Sequence, residues 1–275
     1  MHVRAALAVL AIVTCTACTT YHVQQSSLIP PPVAPAPGTE KGIADAYVGD
    51  ATVTFVSQPH RAPSSDSGLW VSRHLLQGAL TVHASPLIAF RITGLSALSQ
   101  GALKTAPTLL PNPGDAVYGY GAGVLVTLPW DPHRLLLSLH AESLAVPSFI
   151  RATCESSCDD GDRTTVSKHD RDAVLRSAVT AGYGYRFNSL LGLQLTLTFQ
   201  NHPTNRESFE SDARDAEIHT GPIYVTAAAG VEWTPVEWLG VAPLLQWPLT
   251  RSPIEYGPII GLGLRGIVPR SLVEN

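Results

Sequence analysis

Two small groups of residues have types and spacings that could support hydrolysis. In the first, His140 and Glu142 alternate onto one side of a segment, and Ser143 follows directly. A histidine with an acidic partner can take the proton of a serine hydroxyl, so this group is a candidate for nucleophilic catalysis. Ser143 alternates to the opposite face, however, where His140 cannot reach it without a bulge. The group is therefore a weak catalytic candidate.

The second group contains Glu217 and His219, two positions apart, with Asp215 nearby. Carboxylates beside a histidine can activate water for hydrolysis. No second acidic pair stands at matching positions, so His219 is also a weak candidate. We expect no enzyme activity from either group alone.

Glycines and cysteines give two further patterns. Gly261, Gly263 and Gly266 match the spacing GxGxxG, but that motif requires a following helix whose N-terminus binds phosphate. We therefore expect no nucleotide and no other cofactor.

Cys154 and Cys158 stand in a polar stretch and predict a small disulfide. Three aspartates follow them and could help bind calcium, although a solvated acidic loop is the preferred interpretation and we expect no metal site.

The segment Val117 to Trp130, VYGYGAGVLVTLPW, alternates with a period of two. One face is wholly apolar with aromatic residues at both ends, and the other is small and mixed. A band of about ten residues with aromatic rings at both ends is typical of a strand that crosses a bilayer. The pattern predicts a transmembrane strand whose apolar face contacts lipid.

The same alternation recurs from about residue 43 and predicts ten strands: one single strand, four hairpins and a last single strand. Short turns are predicted near Ser85, Asp131, Asn188 and Pro235. Longer connections are predicted at 57–68, 99–114, 148–171 and 201–220, and a shorter one at 250–254. Short and long connections alternate, as in barrels whose tight turns face the periplasm and whose loops face outward.

The alternation also assigns residues to the inside and outside of the predicted barrel. The inward charges have mixed signs and favour a web of buried ion pairs that fills a narrow lumen, with a selective pore as the alternative. These inward charges are Arg73, Arg91, Arg176, Arg186, Arg265, Glu142, Glu232 and Asp50. The aromatic residues expected at the membrane interfaces are Tyr118, Tyr120, Trp130, Tyr183, Tyr185, Phe187, Trp233 and Trp247.

Composition agrees with a membrane protein that is not helical. Charged residues make up 15% of the 275 residues and hydrophobic ones 45%, against about 25% charged in a typical soluble domain. No apolar run reaches the length of about 18 residues that a membrane helix needs. The net charge of -4 gives no basic surface, so we expect no nucleic-acid partner.

The first residues have the layout of a secretory signal: Arg4, then an apolar core, then small residues up to Cys18. Thr16, Ala17 and Cys18 resemble the lipobox of bacterial lipoproteins, which implies lipidation at Cys18 and a signal peptide over 1–18. An ordinary cleaved signal is the alternative. Prolines mark 19–41 as a stiff linker, which we expect to act as a tether.

The layout of strands resembles the outer-membrane β-barrel proteins of Gram-negative bacteria over about residues 42–268. This resemblance implies an all-β fold: an antiparallel up-and-down transmembrane β-barrel of about ten strands (eight to twelve), with 269–275 as a C-terminal tail. An even strand count puts both chain ends, and with them a lipid-anchored N-terminus, on the periplasmic side. Some members are lipid A acyl hydrolases or omptin proteases, and His140, Glu142 and His219 are the residues that carry this part of the resemblance.

We expect a non-enzymatic structural or surface role, in contact with outer-membrane lipid, with an external ligand or partner bound through loops 148–171 and 201–220. The alternatives are a narrow channel for small solutes, a membrane-embedded acyl hydrolase or omptin-like protease, and a soluble lipoprotein that binds an apolar ligand. In the soluble case the apolar faces would point inward and Arg176, Gln194 and Thr196 outward.

Overall fold

The computed structural model describes residues 20–29, 47–57, 69–71, 74–98, 116–156, 166–205, 218–250 and 257–269, nearly all of them in strands and tight turns. The strands are β1 (Thr20–Ile29), β2 (Tyr47–Ser57), β3 (Leu69–Val71), β4 (His74–His83), β5 (Ile88–Leu98), β6 (Ala116–Trp130), β7 (His133–Ser156), β8 (Val166–Arg186), β9 (Leu191–Asn205), β10 (Ile218–Val236), β11 (Leu239–Pro248) and β12 (Ile259–Pro269). No helix among these residues is long and apolar enough to cross a bilayer.

Ten of the strands close into an antiparallel barrel. Their order is β2, β4, β5, β6, β7, β8, β9, β10, β11 and β12, and β12 pairs with β2 to complete the ring. Each strand pairs with the next along the chain, apart from β3, so the barrel has up-and-down topology. The predicted fold class and strand count are confirmed. Closure removes the unpaired edges that an open sheet would expose.

The barrel wall alternates between exposed apolar and buried side chains. Leu80, Ile92 and Leu175 face outward and are 59%, 64% and 60% exposed. Neighbours of opposite parity, such as Gln77 and Arg91, are buried inside. This arrangement is the reverse of a soluble barrel with an apolar interior: Arg176 and Gln194 are buried and Thr196 is half-buried. The alternative of a soluble barrel, with apolar faces inward and Arg176, Gln194 and Thr196 outward, is therefore wrong.

The turns lie close to the predicted positions, with one difference. The short turns cover residues 84–87, 131–132, 187–190 and 237–238. The fourth turn was predicted near Pro235, but Pro235 lies inside β10 and the turn is Glu237–Trp238. β10 continues to Val236 because its register with β11 shifts between Trp233 and Val236.

Two of the predicted long loops are shorter than expected, since their strands continue beyond the barrel. β7 has 24 residues and β8 has 21, about twice the nine to eleven that a tilted strand needs to cross a bilayer. Most of the predicted loop 148–171 is therefore a projecting hairpin. The predicted loop 201–220 also begins and ends in strand, at Asn205 and Ile218.

Strands β1 and β3 lie outside the ring of ten. Pairing of β6 with β7 ends at Tyr118–Ala145, which leaves one edge of the projecting part of β7 open, and β1 pairs with that edge from Ser148 to Ser156. β3 then pairs in parallel with β1. The linker was expected to lie on the short-turn side, but its Thr20–Ile29 part lies at the long-loop end. Alternation predicts a barrel hairpin from Trp70 to Leu98, but Trp70 lies in β3, outside the ring.

Glycines of β6 allow β7 to approach very closely. A Cβ added to Gly121 would lie 2.5 Å from the carbonyl oxygen of Ala141 and 2.9 Å from the Cα of Glu142. Because both obstacles are backbone atoms, a side chain there must push the two strands apart. The inward glycine face of β6 is therefore a packing requirement of the β6–β7 pair.

We predict that Gly121→Ala destabilises the barrel by about 1–3 kcal/mol, the usual effect of overpacking. Urea unfolding in lipid vesicles, followed by heat-modifiable gel migration, measures this change. Gly263→Ala is the matched control, because its Cβ would lie 3.4 Å from the Thr54 hydroxyl oxygen and 3.5 Å from a carbonyl. Equal stability of the Gly121 and Gly263 variants would contradict the packing argument.

Candidate functional site

The barrel lumen holds a layer of buried charged and polar side chains contributed by nearly every strand. Alternation directs every second residue of each strand inward, and the closed ring brings these residues within reach of one another. Arginines 91, 134, 176 and 265 and the acids Asp50, Glu142 and Glu232 are all buried. Four buried positive charges thus face three buried negative charges. Such a layer is stable only if its members are paired and hydrogen-bonded.

The first ion pair joins Glu142 of β7 to Arg176 of β8. The two residues are direct partners in the β7–β8 register. The Arg176 Nε donates to Glu142 Oε2 at 3.0 Å, and Nη2 donates to the same oxygen. Both side chains are almost completely buried. The pair therefore cross-links two adjacent strands inside the barrel.

The second ion-pair group surrounds Arg265 of β12. Its guanidinium pairs with Glu232 of β10 and lies 3.7 Å from a carboxylate oxygen of Asp50 on β2. The hydroxyl of Thr52 donates to Asp50 at 3.2 Å and accepts from Arg265 at 3.4 Å. Since β2 and β12 form the closing pair, these contacts stabilise the barrel where its first and last strands meet.

Smaller polar contacts complete the layer. The side chains of Thr93 and His140 are hydrogen-bonded at 3.2 Å, and Arg91 Nε donates to Thr81 at the same distance. The hydroxyls of Thr180 and Thr198 share a bond of 2.9 Å. These contacts link β4 to β5, β5 to β7, and β8 to β9.

An apolar layer fills the lumen at the long-loop end, above the polar layer. Ten residues from eight different strands form one buried cluster: Val56, Leu75, Leu95, Ala97, Val117, Leu144, Val146, Val174, Tyr224 and Ile259. Alternation along β6 and β8 directs Val117 and Val174 inward, but alternation alone does not predict a continuous layer. The layer becomes visible only when the register aligns the inward positions at the same height.

A smaller apolar cluster lies toward the short turns, where Ala89, Leu125 and Leu136 pack together on β5, β6 and β7. These three residues lie among the polar side chains of the lumen, because buried Arg134 is nearer the short turns than Leu136.

The predicted aromatic residues lie on the outside, near the two ends of the barrel. Tyr120 and Trp130 are 74% and 73% exposed, at opposite ends of β6. At the long-loop end the Arg171 guanidinium lies 5.4 Å from the centre of the Tyr118 ring. The other exposed members of the predicted set are Phe187, Trp233 and Trp247, while Tyr183 and Tyr185 are half-buried. Rings at both ends of an apolar band are typical of the two interfaces of a membrane.

His133 and Trp238 also belong to the aromatic residues at the short-turn end of the barrel, although they are not among the predicted interface residues. His133 Nδ1 is hydrogen-bonded to the hydroxyl of Tyr183 at 2.7 Å, and its ring lies 5.2 Å from that of Tyr185. Trp238 is exposed in the last short turn. Alternation along β7 assigns His133 to the outer face, and this pattern could have predicted its place among the interface residues.

Two predicted lumen residues are placed differently or are not described. Arg186 was assigned to the lumen, but it lies half-exposed at the short-turn rim and pairs with exposed Asp131. The reason is its position: it is the last residue of β8, so its long side chain reaches the adjacent turn. Arg73 lies outside the described residues.

Among the described residues, the first group of weak catalytic candidates does not form an active site. His140 and Glu142 are buried in the lumen, and Ser143 lies on the outer face, so a nucleophile and base are not brought together. His219 lies in β10, and Glu217 and Asp215 are outside the described residues. In the part of the chain that the structure covers, no group of three or more potential ligands could hold a metal ion.

The cysteines remain as predicted from sequence alone. Cys154 lies in β7, whereas Cys158 and Cys18 are outside the described ranges. The disulfide and the lipidation therefore stay predictions.

The chain is similar to several solved structures but matches no protein family. No protein-family model matches the chain, and no curated protein matches it. Among solved structures, a KdgM porin is 7% identical with a TM-score of 0.37, over 79% of this chain and 98% of the porin. The translocator domain of the autotransporter NalP from Neisseria meningitidis is 8% identical with a TM-score of 0.38, over 80% and 87%. Neisserial surface protein A is 11% identical with a TM-score of 0.30, over 82% and 99%.

The chain has the architecture of a bacterial outer-membrane β-barrel. It has an even number of antiparallel strands in a closed ring, an apolar outer face, aromatic residues at both ends, and short turns opposite long connections.

The Glu142–Arg176 pair provides a test of the polar layer. We predict that Glu142→Ala destabilises the barrel by about 3–5 kcal/mol, because it leaves a buried guanidinium without its counter-ion. The double variant Glu142→Leu with Arg176→Met removes both charges and should recover most of that loss.

Urea unfolding in vesicles measures both variants, and Glu142→Gln shows how much a neutral acceptor retains. A double variant no more stable than Glu142→Ala would contradict the assignment of the pair as a mutually compensating buried contact.

Proposed function

We propose that this chain is a non-enzymatic barrel of the Gram-negative outer membrane whose lumen does not conduct and whose role lies at its membrane-facing and outward-facing surfaces. The observation that carries the proposal is the packed lumen. Charged residues are buried in ion pairs, and an apolar cluster from eight strands fills the long-loop end. An open pore would instead keep a continuous path of water-exposed polar side chains.

The apolar layer is the stronger of the two barriers to ions. An ion that crosses it must lose much of its hydration shell among mostly apolar side chains, which is costly. The buried polar side chains next to the layer include the neutral amides of Gln200 and Gln246. The polar layer alone favours the second candidate function, a narrow channel for small solutes, because it supplies both signs of charge along the lumen. The two layers together favour a sealed barrel.

The projecting strands supply the surface for outward contacts. β7 and β8 extend together well beyond the ring, and their paired register continues to Ala152–Val166. β1 pairs with the other edge of β7 and lengthens this sheet. A sheet that projects beyond the ring is suited to binding an external ligand or partner, as is the shorter β9–β10 extension.

Conductance in planar bilayers tests the sealed lumen. We predict that the parent protein stays at baseline, and that Glu142→Ala does so too, because the apolar layer remains. Combined replacement of Leu144, Val146 and Tyr224 by serine should raise the conductance if the apolar layer is the barrier. Ion-conducting steps of the folded parent protein would overturn the proposal in favour of the channel.

We further propose that Cys18 carries an acyl group. The proposal is supported by the basic residue, apolar core and small residues that precede the cysteine. Thr20, two residues after Cys18 in the sequence, begins the strand that pairs near Ser156 at the long-loop end, whereas the strand count predicts an anchor on the periplasmic side.

The intact mass of the mature protein tests the modification. We predict a chain that begins at Cys18 and is heavier than its sequence by the mass of acyl groups, and a Cys18→Ser variant without this added mass. A mature chain with an unmodified N-terminus at another residue would contradict lipidation.

A further inference from the structure

The barrel wall contains a seam between β8 and β9, near the long-loop end. Pairing of the two strands runs from Arg186–Gly192 to Ala178–Gln200 and stops there. Beyond that point β8 continues with β7, and β9 continues with β10. Two strands that are neighbours in the ring therefore separate while each keeps its other partner.

A side chain takes the place of the backbone ladder at the seam. In continued register Ser177 would face Asn201, and the amide of Asn201 makes the contacts of a peptide group. The backbone N–H of Ser177 donates to Asn201 Oδ1 at 2.5 Å, and Asn201 Nδ2 donates to the carbonyl of Leu175 at 3.1 Å. Asn201 thus closes the wall with one flexible side chain.

The sequence of β9 explains why the ladder does not continue. In the same register Leu175 would face Pro203, which has no N–H to donate. The β9–β10 register also shifts between Thr220 and Ile223, directly beside Asn201. Both features turn β9 away from β8.

The seam separates lipid from the apolar layer of the lumen. On its outer side Leu175 and Ile223 are 60% and 64% exposed and apolar, so the wall here faces acyl chains. On its inner side lie Val174 and Tyr224, both buried members of the apolar layer. Between the two compartments lie the Asn201 contacts and the inward side chains of Arg176 and Gln200, which are both buried.

We propose that this seam is a lateral gate through which a single acyl chain from the surrounding membrane reaches the apolar layer of the lumen, with Asn201 as its latch. The acyl chain is the ligand class that fits the apolar residues on both sides, Leu175 and Ile223 outside and Val174 and Tyr224 inside. The Glu142–Arg176 ion pair and Gln200 lie beside the opening on its inner side. Opening costs two hydrogen bonds of one side chain, whereas elsewhere a backbone ladder would have to break. The gate is lateral, so it is compatible with a lumen sealed along its axis and does not depend on the proposed surface role.

Photo-crosslinking tests the gate. The full-length protein is reconstituted in phosphatidylcholine vesicles with a fatty acid that carries a diazirine near its methyl end, and the adducts are located by mass spectrometry. We predict adducts on luminal Val174 and Tyr224 as well as on outer Leu175 and Ile223. Asn201→Ala should raise the luminal adducts several-fold, whereas Ser177→Ala, which keeps the backbone donor, should leave them unchanged.

A covalent lock keeps the test valid even if Asn201→Ala folds poorly. In a background with Cys154→Ser and Cys158→Ser, an oxidised Ser177→Cys and Asn201→Cys pair should abolish luminal adducts and retain outer ones. The control pair Ala181→Cys and Leu197→Cys joins direct partners of the intact ladder and should match the parent. Luminal adducts that are absent from the parent, or that persist in the locked barrel, would overturn the gate. Conductance is measured separately, so failure of the gate is distinguishable from failure of the sealed lumen.

Discussion

The structure depends on one constraint: backbone N–H and C=O groups in contact with hydrocarbon must find partners within the protein. Ten strands satisfy this requirement by closing into a ring, in which β12 pairs with β2. The ring then fixes the rest of the arrangement, because alternation along each strand sends apolar residues to lipid and their neighbours to the lumen. Asn201 shows the constraint locally, since its side-chain amide supplies the partners that the β8–β9 ladder no longer provides.

Closure of the ring also buries the charged side chains that point into the lumen. Buried arginines and acids are costly unless they are paired, and in this barrel Glu142 meets Arg176 across adjacent strands while Arg265 joins Glu232 and Asp50 around the closing pair. Apolar residues fill the space toward the long loops. The packing that stabilises the barrel is also the observation on which the proposed sealed lumen rests.

Much of this architecture could be predicted from sequence, because a period of two is a local signal. The face of β6 that carries Tyr118 and Tyr120, and the inward side of Arg176, follow from parity alone. Other features depend on contacts between distant segments. Nothing local indicates that Thr20–Ile29 pairs with the extended end of β7, that Arg186 reaches the Asp131 turn, or that Asn201 replaces a ladder. The apolar layer also requires the register of eight strands, although each of its members alternates inward.

The central claim, a lumen closed by packed side chains, is tested most directly by the water accessibility of single luminal positions. Cysteines at Ala178 and Thr180, both buried inside β8, can be challenged with a small charged thiol reagent in intact vesicles after Cys154 and Cys158 are changed to serine. Asn188→Cys in an exposed turn reports the full reaction rate. The account predicts that both luminal cysteines stay unmodified until urea unfolds the barrel. Modification of either one in the folded protein at the rate of the turn position would contradict it.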